Sequence, residues 1–154
     1  FLQKKYDSFS LIECASFFGS IQIFKYLYKN GVELNSNLWI YAIHGNDAEI
    51  IHQLEENNIK PYEESYVNCF IEAIKCHHND IANYILTNYI KSDDVLNINE
   101  ICLKYYNFEF VEKEKIDQSL FYTLCKFDHY ALVDLLLKKA DIDINRIEKS
   151  ILNI

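Results

Sequence analysis

An all-helical array of short repeats is the fold class that this sequence predicts, and three observations predict it. The first is composition: 154 residues hold only three Gly and one Pro, whereas all-β folds turn often and use both residues freely. The second is recurrence: a pair of short amphipathic stretches, apolar at helical spacing, returns along the chain. The third is the residue type where the two members of each pair meet. In four units that position holds Gly19, Asn46, His77 and Asp128. Gly takes a positive φ freely, and Asn, Asp and His are the side chains most enriched there. Half the chain is apolar and a quarter is charged, the balance of a folded chain, and its length suffices to bury a core without staples.

Taken in order, the first unit spans about 10–35. Leu11–Phe18 makes one helix closed by Gly19, and Ile21–Lys29 a second closed by Asn30-Gly31, since Gly supplies the left-handed residue that ends a helix. Ile23, Phe24, Leu27 and Tyr28 form one apolar stripe on the second helix. The unit near 37–60 repeats the scheme with Ala42, Asn46, Ile50-Ile51 and Leu54, and the unit near 68–90 with Ala73, His77, Ile81-Ala82 and Ile85-Leu86. A weaker unit near 99–115 has Cys102 near the Ala position and Phe110-Val111 near the second stripe, its register left open. The unit near 119–145 has Leu124, Asp128, Leu132-Val133 and Leu136-Leu137. Arg146–Ile154 is expected to begin a further repeat, and with Phe1 first and no Met the chain is expected to be part of a longer protein. Ala42 and Ala73 are predicted to be buried where helices approach closely.

This pattern resembles the ankyrin repeat. The resemblance rests on Ser10-Leu11-Ile12-Glu13 standing where that family has T-P-L-H, on Ala15 and Gly19 at its Ala and Gly, and on Ile23-Phe24 and Leu27-Tyr28 at its I-V and L-L. Gly31-Val32-Glu33-Leu34-Asn35 takes the place of its closing G-A-D-V-N. The resemblance implies a solenoid of stacked antiparallel helix pairs. The units recur at less than the roughly 33 residues of the standard repeat, so the β-hairpin fingers are expected to be short or absent. T-P-L-H itself is missing throughout, which removes the side-chain network that usually stiffens the turn. The sequence looks like the degenerate Ile-, Asn-, Lys- and Tyr-rich type abundant in parasitic protists, whose function is unknown. Trp39, at the aligned Leu, belongs to the core. By the same resemblance the ends of the first helices line a concave contact face, which selects Phe17, Phe18, His44, Lys75, Lys104, Tyr105, Lys126 and Phe127, with Tyr41 one turn away. The function implied is that of a protein-binding scaffold; a spacer without a ligand of its own is the alternative, and a binder should leave Phe17, Tyr105 or Phe127 partly open to solvent.

Chemistry finds little support in the residues. A net charge of −8 opposes nucleic-acid binding, which needs a basic footprint, and no apolar run approaches the roughly 20 residues of a membrane span. Cys14, Cys69, Cys76, Cys102 and Cys125 include no C-x-x-C pair; they are expected to be reduced apolar fillers of a cytoplasmic or nuclear protein. Cys76-His77-His78 with Cys69 is the nearest approach to a metal site, but adjacent residues diverge on a helix end and His77 is already a turn residue. A Cys–His pair could form from any cysteine with His44, His52, His77, His78 or His129, and core packing is the simpler reading. Glu55-Glu56, Glu63-Glu64 and Asp93-Asp94 are neighbours that do not face each other, read as solvated faces and helix starts. With three glycines no phosphate-cradling loop can be built. The expectation is no catalysis, no metal and no cofactor, a partner that is another protein, and a monomeric segment. A hidden enzyme would betray itself by a pocket with convergent His, Cys or carboxylate groups.

Overall fold

Local signals set the helix boundaries. Ser10 opens α1 (Leu11–Phe17): its hydroxyl accepts from the Glu13 amide, and the Glu13 carboxylate accepts from the Ser10 backbone N–H and hydroxyl at 2.9 and 2.8 Å. This capping box satisfies two otherwise orphaned donors at the start of the first helix. Asp47 caps α4 (Ala48–Glu56) by accepting from the Glu49 and Ile50 amides. Ser65 caps α5 (Tyr66–Lys75), and Asn97 caps α7 (Ile98–Lys104). The computed structural model describes residues 9–91, 96–111 and 118–139. The remaining helices are α2 (Ile21–Lys29), α3 (Leu38–His44), α6 (Asn79–Asn88), α8 (Gln118–Lys126) and α9 (Tyr130–Lys139). The described residues are helical with no strand, and none of their helices is long and apolar enough to cross a membrane.

The turns repeat one backbone pattern. After α1, α3, α5, α7 and α8 a residue at positive φ follows the cap: Gly19 at 61°, Asn46 at 51°, His77 at 59°, Tyr106 at 57° and Asp128 at 58°. Its successor donates its amide to the carbonyl of Ala15, Ala42, Ala73, Cys102 or Leu124, at 2.8–3.4 Å. This is the Schellman closure, and all five acceptors are buried. Ala15, Ala42, Ala73 and Leu124 are the residues that the sequence aligned at the Ala position; for the weak unit, whose register was open, Tyr106 puts Cys102 in that place. The second helices α2 and α4 close in the same way through Gly31 and Asn58, with Leu27 and Leu54 as acceptors.

Two compact units divide the chain, 1–96 and 97–154. In the first, α1 packs on α2 and α3, α3 on α4 and α5, α5 on α6, and α2 touches α4. The helix ends meet backbone to backbone: a Cβ on Gly45 would stand 2.3 Å from the Ser16 carbonyl oxygen and 2.7 Å from the Gly19 nitrogen. Ser16, fully buried, donates its hydroxyl to the Leu38 carbonyl across the α1–α3 contact. Ala42, Ala73, Phe24, Ile50, Ile51 and Leu54 are in the core, as is Trp39, whose indole N–H reaches the Ile59 carbonyl at 2.7 Å. In the second unit α8 packs on α7 and α9 around Leu103, Leu124 and Leu136. There His129, nearly buried, places Nε2 2.8 Å from the Leu103 carbonyl oxygen.

Several expectations need correction. Ile23 is 56% exposed rather than part of the α2 core stripe, since α2 packs mainly on α1 and α4. The third unit begins at Tyr66, before Asn68, because Ser65 supplies the cap. In the weak unit Phe108–Val111 forms a turn instead of a helix. Cys125 is exposed and so fills no core, while Cys69 and Cys102 are buried. Glu55 is no solvated residue: its carboxylate accepts from the Tyr84 and Tyr89 hydroxyls at 2.8 and 2.6 Å. Asp93-Asp94 and Arg146–Ile154 lie outside the described residues.

Candidate functional site

In the first unit, side chains projecting one helical turn apart from three neighbouring helices frame a groove of about 690 Å³. From α1 comes Phe17, from α3 Ile40, Tyr41 and His44, and from α5 Asn68, Glu72 and Lys75; Phe9 also lines it. The spacing of three or four residues on α3 and α5 puts each set on one helix face. Four of the residues singled out by sequence, Phe17, Tyr41, His44 and Lys75, therefore meet here. Their rings touch: Phe17 lies 5.0 Å from the His44 imidazole and 6.5 Å from Tyr41, and Phe9 lies 4.9 Å from Tyr41, centroid to centroid. Phe18 stands edge-on to Phe17 and is 69% exposed, outside the groove lining.

His44 is the electrostatic centre. Its Nδ1 lies 3.4 Å from the Cys76 sulfur, and its Nε2 lies 2.6 Å from Glu72 Oε1. The Cys76 and Glu72 contacts together, against the opposing effect of burial, hold the imidazole protonated up to about 9. Glu72 is correspondingly held below the usual carboxylate range, first by His44 and then by Lys75, whose Nζ is 3.0 and 3.2 Å from its two oxygens. At neutral pH this end of the groove carries two cations and one carboxylate, in a chain whose net charge is −8.

The other predicted contact residues belong to the second unit. Lys104 lies over the Tyr105 ring at 5.2 Å, and Lys126 over Phe127 at 5.3 Å. Lys126 also pairs with Glu100 at 2.7 Å, and Phe127 packs partly against the Leu103–Leu124–Leu136 core. Both lysines are exposed; Phe17, Tyr105 and Phe127 are each half-buried.

Of the cluster weighed for metal, Cys69 is fully buried, with burial pushing its thiol up to about 12, and His77 is the exposed left-handed residue of the turn. The cluster that assembles instead is His44, Glu72 and Cys76. Glu72 and Cys76 are four apart on α5, a spacing that faces both one way. His44 comes from α3, at the position aligned with Lys75, so comparing the ends of adjacent first helices would have brought it beside Cys76.

No protein-family model, curated protein or solved structure matches this chain.

Proposed function

We propose that this chain is a non-catalytic protein-binding module, built as an ankyrin-type solenoid of stacked antiparallel helix pairs, and that the groove between α1, α3 and α5 takes a segment of a partner protein. One observation carries the reading: Phe17, Tyr41, His44 and Lys75, four of the contact residues that the sequence predicts, line a single groove. The recurrent left-handed turns and the row of first helices α1, α3 and α5 support the solenoid. Aromatic walls offer area at small entropic cost. The protonated His44 and Lys75, on either side of Glu72, favour a carboxylate beside the apolar anchor. The ligand is therefore a segment with a large apolar side chain next to an acidic residue. The five cysteines are free thiols, which suits the cytoplasm or nucleus.

Catalysis forms no part of the proposal. Cys76, His44 and Glu72 have the connectivity of a nucleophile, a base and its orienting acid. Cys76, however, is the cap residue that ends α5 and is not among the groove-lining residues.

The test is selection of a displayed random-peptide library on the chain, counter-screened on Tyr41→Ala. Enriched peptides should pair a large apolar residue with an acidic one and lose on the order of 10- to 100-fold in affinity on the variant. A folded, helical chain that enriches nothing would favour the alternative, a spacer within a larger repeat protein.

A further inference from the structure

We infer that His44, Glu72 and Cys76 form a binding site for a zinc-type divalent metal ion. The proposal does not rest on the partner-binding reading, although it shares His44 and Glu72 with that groove, and the ion takes the place of the proton that the imidazole otherwise holds. One ring nitrogen of His44, the Cys76 sulfur and a Glu72 oxygen lie within 4.8 Å of one another. Bond lengths of about 2.0–2.3 Å to a tetrahedral zinc separate its ligands by roughly 3.3–3.7 Å. The His44 Nδ1–Cys76 Sγ distance of 3.4 Å is already in that range, and a rotamer adjustment of Glu72, the longest of the three side chains, closes the rest.

Donor chemistry selects the ion. Magnesium and calcium take oxygen ligands, whereas a thiolate, an imidazole and one carboxylate suit zinc and its spectroscopic substitute cobalt(II). The backbone adds its own preference. His44 is the last residue of α3, and Cys76 is the cap residue that ends α5. Both ends carry the negative pole of a helix, which favours a cation between them. With three protein ligands, the fourth position is left to water on the groove side, since His44 and Glu72 line the groove. Lys75 competes for Glu72, but it is an exposed side chain and can swing into solvent when the ion arrives.

The experiment is a cobalt(II) titration of the reduced, chelator-stripped chain without oxygen, followed by zinc. One equivalent of cobalt should give a sulfur-to-cobalt charge-transfer absorption together with the strong visible bands of tetrahedral cobalt, and zinc should abolish both. Cys76→Ser should remove the charge-transfer absorption. His44→Gln and Glu72→Gln should each weaken binding on the order of 10- to 100-fold, and they report independently if Cys76→Ser fails to fold. Cys125→Ser, on α8, and His77→Gly should leave the spectrum unchanged. Absence of the charge-transfer absorption under excess cobalt overturns the proposal, as does its survival in Cys76→Ser or its loss in Cys125→Ser.

Discussion

His77 holds a backbone that suits a different residue. Its φ is 59°, and the side chain is exposed. Glycine reaches that conformation without steric cost, so His77→Gly should stabilise the fold by about 0.5–1 kcal/mol, read as a higher urea midpoint at unchanged slope. Gly45 is the reverse case. Its φ of −70° suits any residue, yet an added Cβ would collide with the Ser16 carbonyl. Gly45→Ala should therefore cost about 1–3 kcal/mol, and equal stability of the two chains would show that α1 and α3 do not approach as described. The thiols divide in the same residue-by-residue way. Burial pushes Cys69 up to about 12 and Cys102 up to about 11, while Cys125 is exposed. Thiolate is the reactive form, so brief alkylation of the folded chain, mapped by peptide mass, should mark Cys125 and spare Cys69 and Cys102 until denaturant is added. Labelling of Cys69 at the rate of Cys125 would mean that α5 is not packed.

At the scale of the element, Ala73 is the sharpest probe. It is fully buried on α5, which packs against both α3 and α6, and its carbonyl accepts the amide that closes the turn. Phe at that position overpacks the helix pair, and Ala73→Phe should lower stability by about 1–3 kcal/mol; a variant melting with the wild type would displace the register. The first helices and their turns were legible because they rest on local rules: an apolar stripe, a residue tolerant of positive φ, a small residue at the crossing. Less local features were not. The start of α5 depended on which of two polar residues, Ser65 or Asn68, supplies the cap. Ile23 and Ile50 occupy the same aligned position and differ in burial, because helix neighbours, absent from the periodicity, decide it. The His44–Glu72–Cys76 cluster is not legible along the chain, because it joins residues 32 apart through the α3–α5 contact and shows only when the ends of neighbouring first helices are compared.

For the molecule as a whole, the raised acids act together. Tyr41, Tyr66, Tyr84, Tyr89, Cys69 and Cys102 all keep their protons to higher pH in the fold than their ordinary values, with burial the leading cause for each. Above about pH 9 the unfolded chain releases these protons first, so the folded state binds more protons and stability must fall as pH rises. The contribution is complete below that pH and is lost through the range up to about 11 for Cys102 and about 12 for Cys69. All but Cys102 belong to the first unit. Melting temperature should decline from about pH 9 upward, and residues 1–96 expressed alone should be helical and show the same decline. A flat profile would mean that these phenols and thiols meet water in the fold.

The five closures after the first helices use main-chain atoms on both sides: an amide, a carbonyl and one residue's φ. What such a turn passes from copy to copy is a shape, and almost any letter can be written over it provided the acceptor stays inside. Gly, Asn, His, Tyr and Asp already occupy the left-handed seat, so the spelling can drift far while the grammar of the turn persists.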